Sequence, residues 1–511
     1  MPRPAAGRRL YGTARDRAAS ACRAASGRAR RRRGPAGGVR GVRPRAGAAA
    51  RRGPGGRPLR SGGRRGGAGV SAARLFTDEH AELLLALLRL DTVSPLESDA
   101  PGRLPEAQQA YAAFAARRTG AAQLLLAPAP PEALRRDGVP LSVLRQAERM
   151  GEQAFLAAQP NLLLRIGRER PREETIAFNF HMDTVADGGQ EIGFDGVRFY
   201  GRGSADMKGA GVALLAGIEA ALAEDPELAE RCSVLVQSVC GEEGGAMGVC
   251  GTRELAELGH VGALNVFAEP SGGVWFDRST TSMTARVEMF GEDATDDAPQ
   301  AGHNATLLLG QVGAALLRGL AEPARELGGK VCLAGLHTGG MHNKVYGTGT
   351  LLLNIAYPSA FAGEKLRLLT ERCARDALLR FADEWADVPE ARRTARDATR
   401  LCRLSWVKSG LPVLDNRHPA WERLLSGLGW ERNPDDRPER AFTCDAMWMM
   451  AKGCYTVVYG PGSLEGNGAH TARESMELAE LERYAGQIKE LLLAFARTAR
   501  RKRQLERTGS A

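Results

Sequence analysis

The chain has 511 residues, 43% of them hydrophobic, so it is long enough to form more than one domain. Its net charge of +10 comes from one end, because residues 1–70 carry 20 Arg and one acidic residue and leave −9 on the remaining 441. An acidic body argues against nucleic-acid binding by the folded part, and the absence of any apolar run near 18 residues argues against a membrane span. Nine scattered cysteines without a CxxC pair predict reduced thiols and a cytoplasmic location.

Residues 1–72 form a leader of mostly Arg, Gly, Ala and Pro, and we expect it to be disordered because it has few large apolar side chains to bury. It lacks the apolar segment of a secretory signal. Three interpretations stay open: a start codon assigned too early, a solvated tail with weak affinity for nucleic acids and other polyanions, and an Arg-rich transit peptide.

Beyond the leader, segments with helical periodicity alternate with short apolar runs. The helical segments are 77–91, with Thr77 as N-cap and His80 at the third position, then 105–119, 141–158, 208–223 and 251–258. The apolar runs predict strands at 161–166, 174–180, 233–239 and 263–269. This alternation predicts an α/β fold with a mainly parallel sheet and helices on both faces.

The pattern changes over residues 280–397. Strands are predicted at 282–291 and 349–355 and helices at 302–322 and 363–387, and this mixture is typical of a separate α+β insert of ferredoxin-like type. The first pattern then returns, with a strand at 454–459, a closing helix at 474–500 and a polar tail that we expect to fray. The predicted domains are therefore 73–279 and 398–505 for the two parts of the catalytic domain, with the insert at 280–397.

Candidate metal ligands lie where the predicted strands of the catalytic domain end. In a parallel sheet the carboxyl ends of strands gather functional groups at one edge. Six side chains are candidates for the functional site because they lie after a strand, in a glycine-rich turn or in a loop: His181, Asp206, Glu242, Glu243, Glu269 and His470.

Nitrogen and carboxylate donors without thiolates suit Zn²⁺, and Co²⁺ and Mn²⁺ accept the same donors. Five such side chains form a two-metal site if one carboxylate bridges. Two cations about 3.5–4 Å apart can hold a hydroxide, polarise a carbonyl and stabilise an oxyanion. Each residue taken alone is more typical of a structural histidine, a turn or a solvated loop, but their shared position at strand ends favours the metal site.

The motifs that carry these residues resemble a known enzyme family. They read HMDTV at 181–185, GRGSADMKG at 201–209, GEEGG at 241–245, AEP at 268–270, and YGPG followed by GAHTARE between 459 and 474. Their order and spacing are similar to those of the zinc aminoacylase/carboxypeptidase family, which includes acetylornithine deacetylase, succinyl-diaminopimelate desuccinylase and glutamate carboxypeptidase. The resemblance covers about residues 75–500.

The resemblance implies two zinc ions per chain. His181, Asp206 and Glu269 would hold one ion, and Asp206, Glu243 and His470 the other, with Asp206 as the bridge. Glu242 would be the general base. Asp183 would accept a hydrogen bond from the ring of His181 and so fix its orientation. A cis peptide bond would follow Asp206, and the insert would act as a lid and as the contact of a homodimer.

The sequence departs from the family at two positions. Thr295 stands where relatives carry a lid histidine that reaches the other subunit, and Ile355 stands where deacetylases carry an Arg that binds a substrate carboxylate. We therefore name Thr295, His342 and Asn343 as candidate substrate-binding residues. His303 and His337 are alternatives for the histidine, and Arg278 and Lys344 for the arginine.

The expected function is hydrolysis of a small amide by a metal-bridging hydroxide with Glu242 as base, either N-acyl amine deacylation (such as deacetylation) or cleavage of a short peptide. Two alternatives stay open. The same site would act on a pathway-specific or carrier-linked amide, or the protein would bind metal and ligand without turnover.

Overall fold

In the computed structural model, a six-stranded sheet organises the catalytic part of the chain. The structure describes residues 74–98, 102–186, 189–434, 443–451 and 453–507, so the leader predicted at 1–72 lies outside the described residues. The elements before the insert are α1 (Asp78–Leu88), α2 (Leu104–Thr119), β1 (Ala122–Pro128), α3 (Leu141–Met150), α4 (Glu152–Ala157), β2 (Pro160–Ile166), β3 (Thr175–His181), β4 (Gly193–Phe194), β5 (Arg198–Tyr200), α5 (Lys208–Glu224), α6 (Leu228–Arg231), β6 (Ser233–Val239), α7 (Thr252–Glu257), β7 (Leu264–Pro270) and β8 (Val274–Trp275).

The insert and the return to the catalytic part complete the chain. The insert contains β9 (Thr281–Phe290), β10 (Ala294–Thr295), α8 (Ala305–Glu326), β11 (Lys330–His337), β12 (Lys344–Val345), β13 (Thr348–Tyr357), α9 (Ala360–Glu384), α10 (Pro389–Leu401) and β14 (Cys402–Lys408). The return contains α11 (Pro419–Gly427), β15 (Glu431–Arg432), β16 (Tyr455–Gly460), β17 (Ser475–Glu477) and α12 (Leu478–Arg507).

The order of the main sheet is β1-β2-β6-β3-β7-β16. The pairs β6–β3, β3–β7 and β7–β16 are parallel, whereas β1–β2 and β2–β6 are antiparallel. Strand β3 is buried along its whole length. Its Phe178 and Phe180 belong to the core shared with α1, α2, α5 and α12, while Asn179 donates to Thr252 of α7 on the other face (3.0 Å). The predicted α/β fold with helices on both faces is confirmed.

Three details of the catalytic part differ from the sequence analysis. The helix predicted at 141–158 is two helices, because Gly151 between them adopts a φ of +86°. The closing helix begins at Leu478, since residues 475–477 pair with β5 as a strand. The predicted fraying tail is helical in its backbone as far as Arg507.

The insert has the predicted ferredoxin-like fold. Its sheet has the order β11-β13-β9-β14 with every pair antiparallel, and α8 and α9 share a core with one face of it. The last strand, β14, completes the βαββαβ pattern. The predicted end of the insert at residue 397 falls inside α10 and omits this strand, so that boundary was too early.

None of the helices in the described ranges combines the length and apolar character that a membrane span needs.

Helix α1 begins with a capping box in which a histidine takes the place usual for Glu or Gln. The backbone N–H of Thr77 donates to Nδ1 of His80 (3.2 Å), and the Thr77 hydroxyl lies 2.8 Å from the same nitrogen. His80 is fully buried against Phe76 and Phe114. Burial lowers the pKa of His80, and the negative charge of Glu219 opposes this shift only in part.

This geometry predicts a pH-dependent stability. The folded state keeps His80 neutral, whereas in the unfolded state its pKa is near 6.5, so the unfolded state binds the extra proton as the pH falls. The free energy of unfolding should therefore decrease from pH 7 to pH 5. Chemical denaturation of a His80→Gln variant, which keeps the cap but cannot titrate, should show a shallower pH dependence.

The exposed His342 provides the control. His342→Gln should leave the pH dependence of unfolding as in the unsubstituted protein. If the His80→Gln variant showed the same pH dependence of unfolding as the unsubstituted protein, the assignment of this dependence to His80 would be contradicted.

Candidate metal centre

Three adjacent strands bring candidate ligands to one edge of the main sheet. His181 is the last residue of β3, Glu242 and Glu243 follow β6, and Glu269 lies near the end of β7. These strands are parallel neighbours in the order β6-β3-β7, so their carboxyl ends meet.

Asp206 reaches this edge from the glycine-rich turn before α5. Gly203 in the turn has a φ of +88°, and a Cβ there would lie 3.0 Å from the Lys208 side chain and 3.2 Å from that of Thr184. Glycine is therefore required by both conformation and space. The Asp206–Met207 peptide bond is cis, as the resemblance implied.

Glu474 fixes this turn, and the sequence analysis assigned it no role. Its Oε1 accepts backbone N–H groups from Gly203 (2.9 Å), Ala205 (3.1 Å) and Asp206 (3.1 Å), while its Oε2 pairs with Arg202. The Glu474 side chain is fully buried. Glu474 is the last residue of the GAHTARE motif, so the motif marked its position in the sequence. The motif did not reveal which groups the carboxylate contacts.

His470 enters from the loop after β16. Asn467 holds that loop by accepting from Ser463 N–H (2.8 Å) and donating to the Ser475 carbonyl (3.0 Å). His470 itself has a φ of +62°, which is uncommon outside glycine and is typical of positions constrained by function. Its side chain is half-exposed.

At the centre, the Asp206 carboxylate lies between two imidazoles. Its Oδ1 is 3.0 Å from Nε2 of His181, and its Oδ2 is 3.1 Å from Nε2 of His470. The same His470 nitrogen is 3.0 Å from Oε1 of Glu243, and Nε2 of His181 is 3.9 Å from Oε1 of Glu269. The structure thus brings all five predicted metal ligands together.

Asp183 has a different partner from the one predicted. Nδ1 of His181 lies 2.8 Å from the backbone carbonyl of Asp183, whereas the Asp183 carboxylate is 3.9 Å away. That carboxylate instead accepts the backbone N–H groups of Glu243 (3.1 Å) and Glu242 (3.5 Å). Asp183 therefore orients the histidine through its backbone and the Glu242–Glu243 segment through its side chain.

The pKa values of the cluster show that it attracts positive charge. Burial opposes ionisation of Asp206, but hydrogen bonds from His181 and His470 outweigh this and lower its pKa. The hydrogen bonds to Asp206 and Glu243 raise the pKa of His470 to about 10. Burial, followed by the charge of Asp206, raises the pKa of Glu269 well above its usual value.

This donor set fits divalent cations. One donor atom from each of His181, Asp206 and Glu243 lies within 4.8 Å of the others, and all three side chains are buried. The Nε2 atoms that face Asp206 are those a metal would occupy, because Nδ1 of His181 is already engaged by a backbone carbonyl. Buried carboxylates this close repel one another unless a cation lies between them.

Glu242 precedes the candidate ligand Glu243 in the sequence but is not itself a candidate ligand. Within the described residues its carboxylate forms no hydrogen bond, which leaves both oxygens available. Burial, followed by the charges of Glu269 and Glu243, raises its pKa well above that of a free Glu.

A further buried carboxylate, Asp445, packs against Gly248 and Thr252 in the segment after Glu243 and was missed by the sequence analysis. It accepts from the hydroxyl of Thr252 (2.5 Å), and a Cβ at Gly248 would lie 2.5 Å from its own Cβ. Burial raises the pKa of Asp445 to about 6. The residue falls in a segment between predicted elements, so no periodicity or spacing pointed to it.

The residues predicted for substrate binding lie elsewhere. Thr295, His342 and Asn343 are exposed and lie near the end of β9 that is far from its junction with the catalytic part, where β10 pairs with β12. Their distance from that junction is about 30 Å, the length of a ten-residue strand. In the described part of the chain, none of them contacts a metal-ligand side chain.

His303 and Ile355 are both buried inside the insert. His303, an alternative for the lid histidine, is buried, with Nε2 3.3 Å from Asp397 and with Nδ1 accepting from Glu292 N–H (2.9 Å). Ile355 is fully buried in the core between the insert sheet and its helices.

The sequence profile described as peptidase family M20/M25/M40 matches residues 177–494, which is more than half of the chain and includes every side chain of the centre. The chain belongs to this family. This confirms the resemblance drawn from the motifs. The M20 protein is accordingly a metal-dependent hydrolase.

Solved structures share the fold of this M20 protein at low sequence identity. A tripeptidase from Staphylococcus aureus subsp. aureus Mu50 is 16% identical with a TM-score of 0.57, over 82% of this chain and 98% of its own. A metallo-carboxypeptidase of family M20 from Sulfolobus solfataricus is 12% identical with a TM-score of 0.58, over 82% and 100%. Human carnosine dipeptidase 1 is 15% identical with a TM-score of 0.50, over 83% and 98%. No curated protein sequence matches significantly.

Removal of the Glu474 charge should destabilise the M20 protein strongly. Glu474→Gln would leave Arg202 buried without its partner, and breaking a buried ion pair typically lowers the free energy of unfolding by about 3–5 kcal/mol. Chemical denaturation measures this loss. Glu477→Gln is the matched control, because Glu477 pairs with Arg198 at the surface and should lose less than about 1 kcal/mol. If both variants lost the same free energy of unfolding, the 203–206 turn would not depend on Glu474.

Proposed function

We propose that this M20 protein is a two-zinc amidohydrolase that deacylates an N-acyl amine or cleaves a short peptide. The observation that carries the proposal is the Asp206 carboxylate, with one oxygen directed at each of two imidazole nitrogens. His181 and Glu269 would complete one zinc site, and His470 and Glu243 the other. Co²⁺ and Mn²⁺ suit the same donors.

Bound cations would lower the pKa of a water molecule and polarise the amide carbonyl. The chain supplies the rest of the chemistry. Glu242 accepts a proton from the attacking water and then donates it to the leaving nitrogen. Its raised pKa makes Glu242 a stronger base and so favours the first step, and Asp183 accepts a hydrogen bond from its backbone N–H (3.5 Å).

Solved relatives of the same fold are described as a tripeptidase and a dipeptidase, which supports small peptides among the candidate substrates. We also propose a cytoplasmic location, in agreement with the eight described cysteines, all of which are free.

We further propose a homodimer formed through the insert. Strand β11 is the edge strand of the insert sheet, so one side of its backbone has no strand partner among the described residues. Its Leu333 and Leu336 are 41% and 42% exposed. An exposed edge with apolar side chains is a surface on which a second copy can add its own strand. Such a dimer would give Thr295, His342 and Asn343 a second active site to contact.

A variant of the base tests the catalytic proposal. Glu242→Gln should retain two zinc ions per chain, because Glu242 is not a ligand, but should lose at least about 100-fold in kcat for N-acyl amines and dipeptides. Metal analysis and a chelator-sensitive hydrolysis assay provide the two readouts.

Two further variants complete this experiment. Asp206→Asn should bind less than one zinc ion per chain, since both sites share this carboxylate. Glu169→Gln alters an exposed carboxylate, 86% accessible, and should leave metal content and rate unchanged. Full activity of Glu242→Gln would exclude it as the base, and zinc binding without hydrolysis by the unsubstituted protein would favour a binding function.

The dimer is tested by sedimentation of a Leu333→Lys variant. A charge on the edge strand should disfavour pairing of two strands, so the variant should sediment as a monomer at concentrations where the unsubstituted protein is a dimer. The exposed Leu258 lies outside the insert, and Leu258→Lys is the control that should remain dimeric. A monomeric unsubstituted protein would refute this assembly.

A further inference from the structure

A large polar cavity lies outside the metal centre. Its volume is about 690 Å³, and its walls come from β5, the loop after β7, β15, the loop after β16, β17 and the first turns of α12. None of the five metal-ligand side chains lines it. The cavity is therefore a separate space, and it has the size that small-molecule sites in proteins usually have.

Two walls of the cavity are loops that also carry metal ligands. Gly272 lies three residues after Glu269. Its backbone N–H donates to the carbonyl of Gly462, in the loop that carries His470 (2.8 Å). Glycine is required at position 462, because its φ is +67° and a Cβ there would lie 2.5 Å from Oδ1 of Asn467. The backbone that forms the cavity therefore also positions two of the ligands.

The charged side chains that line the cavity are of both signs, and two of them have no partner. Arg198 pairs with Glu477. Arg483 and Glu431 line the cavity as well, but with the described residues neither side chain forms an ion pair or a hydrogen bond. They are too far apart to pair with each other. The cavity thus has an uncompensated positive charge and an uncompensated negative charge in its walls.

A hydrogen bond explains why Arg483 stays unpaired. Glu480 would be its expected partner, because residues three apart on a helix are neighbours. Oε2 of Glu480 instead accepts from the side-chain amide of Asn467 (3.1 Å), which also donates to the Ser475 carbonyl (3.0 Å). The loop that carries His470 therefore engages the carboxylate that would otherwise neutralise Arg483.

The remaining walls leave room for a small molecule. A Cβ on Gly273 or Gly429 would have no described atom within 4 Å, so these positions are open. The Tyr459 ring stacks on Trp430, with 3.9 Å between the ring centroids, and its hydroxyl accepts from Gln487 (2.7 Å). Tyr459 thus offers a fixed ring surface to the apolar part of a ligand.

We propose that this cavity binds a free α-amino acid as a zwitterion and that the bound molecule stabilises the loop that carries His470. A ligand with a single charge would satisfy only one of the two unpaired side chains. A zwitterion satisfies both, because its carboxylate binds the guanidinium of Arg483 and its ammonium binds the carboxylate of Glu431. The inference goes beyond the proposed function and does not depend on hydrolysis.

Three ligands with the same isobutyl group test the two charges. Leucine carries both, 4-methylpentanoate lacks the ammonium and 3-methylbutylamine lacks the carboxylate. None of the three contains an amide that could be cleaved. In calorimetric titrations of the zinc-loaded full chain, leucine should bind at least about 10-fold more tightly than either analogue, as expected for an additional hydrogen bond between charged groups.

Two variants assign each charge to its side chain. Arg483→Gln should bind leucine no more tightly than 3-methylbutylamine, and Glu431→Gln should bind leucine no more tightly than 4-methylpentanoate. Both side chains are exposed, so both variants should fold, which thermal unfolding checks. Arg497→Gln alters an exposed arginine of α12 outside the cavity and should keep the affinity for leucine.

Amide hydrogen exchange of residues 461–473 tests the effect on the loop. For amides that exchange only when the loop opens, leucine at about ten times its Kd should slow exchange by about 10-fold. Arg483→Gln protein at the same leucine concentration should show no slowing.

Three results would overturn the site: no binding of leucine, equal binding of leucine and both analogues, or leucine binding that is unchanged in both Arg483→Gln and Glu431→Gln. The last result would place leucine at the zinc ions or elsewhere on the protein. Unchanged exchange of residues 461–473 with leucine bound would overturn the effect on the loop. Hydrolysis is tested separately by Glu242→Gln, so failure of the two proposals can be told apart.

Discussion

Acidic side chains crowd into one buried space at the edge of the main sheet, and the structure must compensate their charge. Asp206, Glu243 and Glu269 converge there with His181, and Glu242 lies beside them. Carboxylates in such proximity cannot all ionise unless positive charge enters. The histidines supply it when protonated, as the raised pKa of His470 shows. Divalent cations supply it more effectively, which is the physical reason why this cluster is suited to metal.

The charged groups stay together because surrounding side chains hold the backbone that carries them. The Glu474 carboxylate accepts hydrogen bonds from three backbone N–H groups of the turn that ends at Asp206. The Asp183 carboxylate accepts two, from Glu242 and Glu243. Both are buried carboxylates that accept backbone N–H groups, and Glu474 also pairs with Arg202. Their own negative charge adds to that of the centre, so they also favour cations at the site.

The insert is tied to the centre at one end only. Its strands β9 and β14 meet the catalytic part near Thr281 and Lys408, while Thr295 and His342 lie at the other end of the sheet. This division leaves the far end available to a second subunit in the proposed dimer.

The sequence by itself determined the α/β and ferredoxin-like folds and the five grouped metal-ligand candidates. Alternation of helices and strands predicts a parallel sheet, and such a sheet brings strand ends together whatever the details of packing. The sequence alone therefore places His181, Glu243 and Glu269 at one edge. Local motifs also marked the turn of Asp206 and the loop of His470.

Only the tertiary structure decided which atoms of these residues meet. Asp183 orients His181 through its carbonyl instead of its carboxylate, and Glu474 and Asp445 act on loops distant in sequence. A one-residue irregularity in β14 decides which face Lys408 occupies, and no periodicity reveals such an irregularity in advance. Side-chain direction depends on register and on long-range contacts, and these arise only when the whole chain has folded.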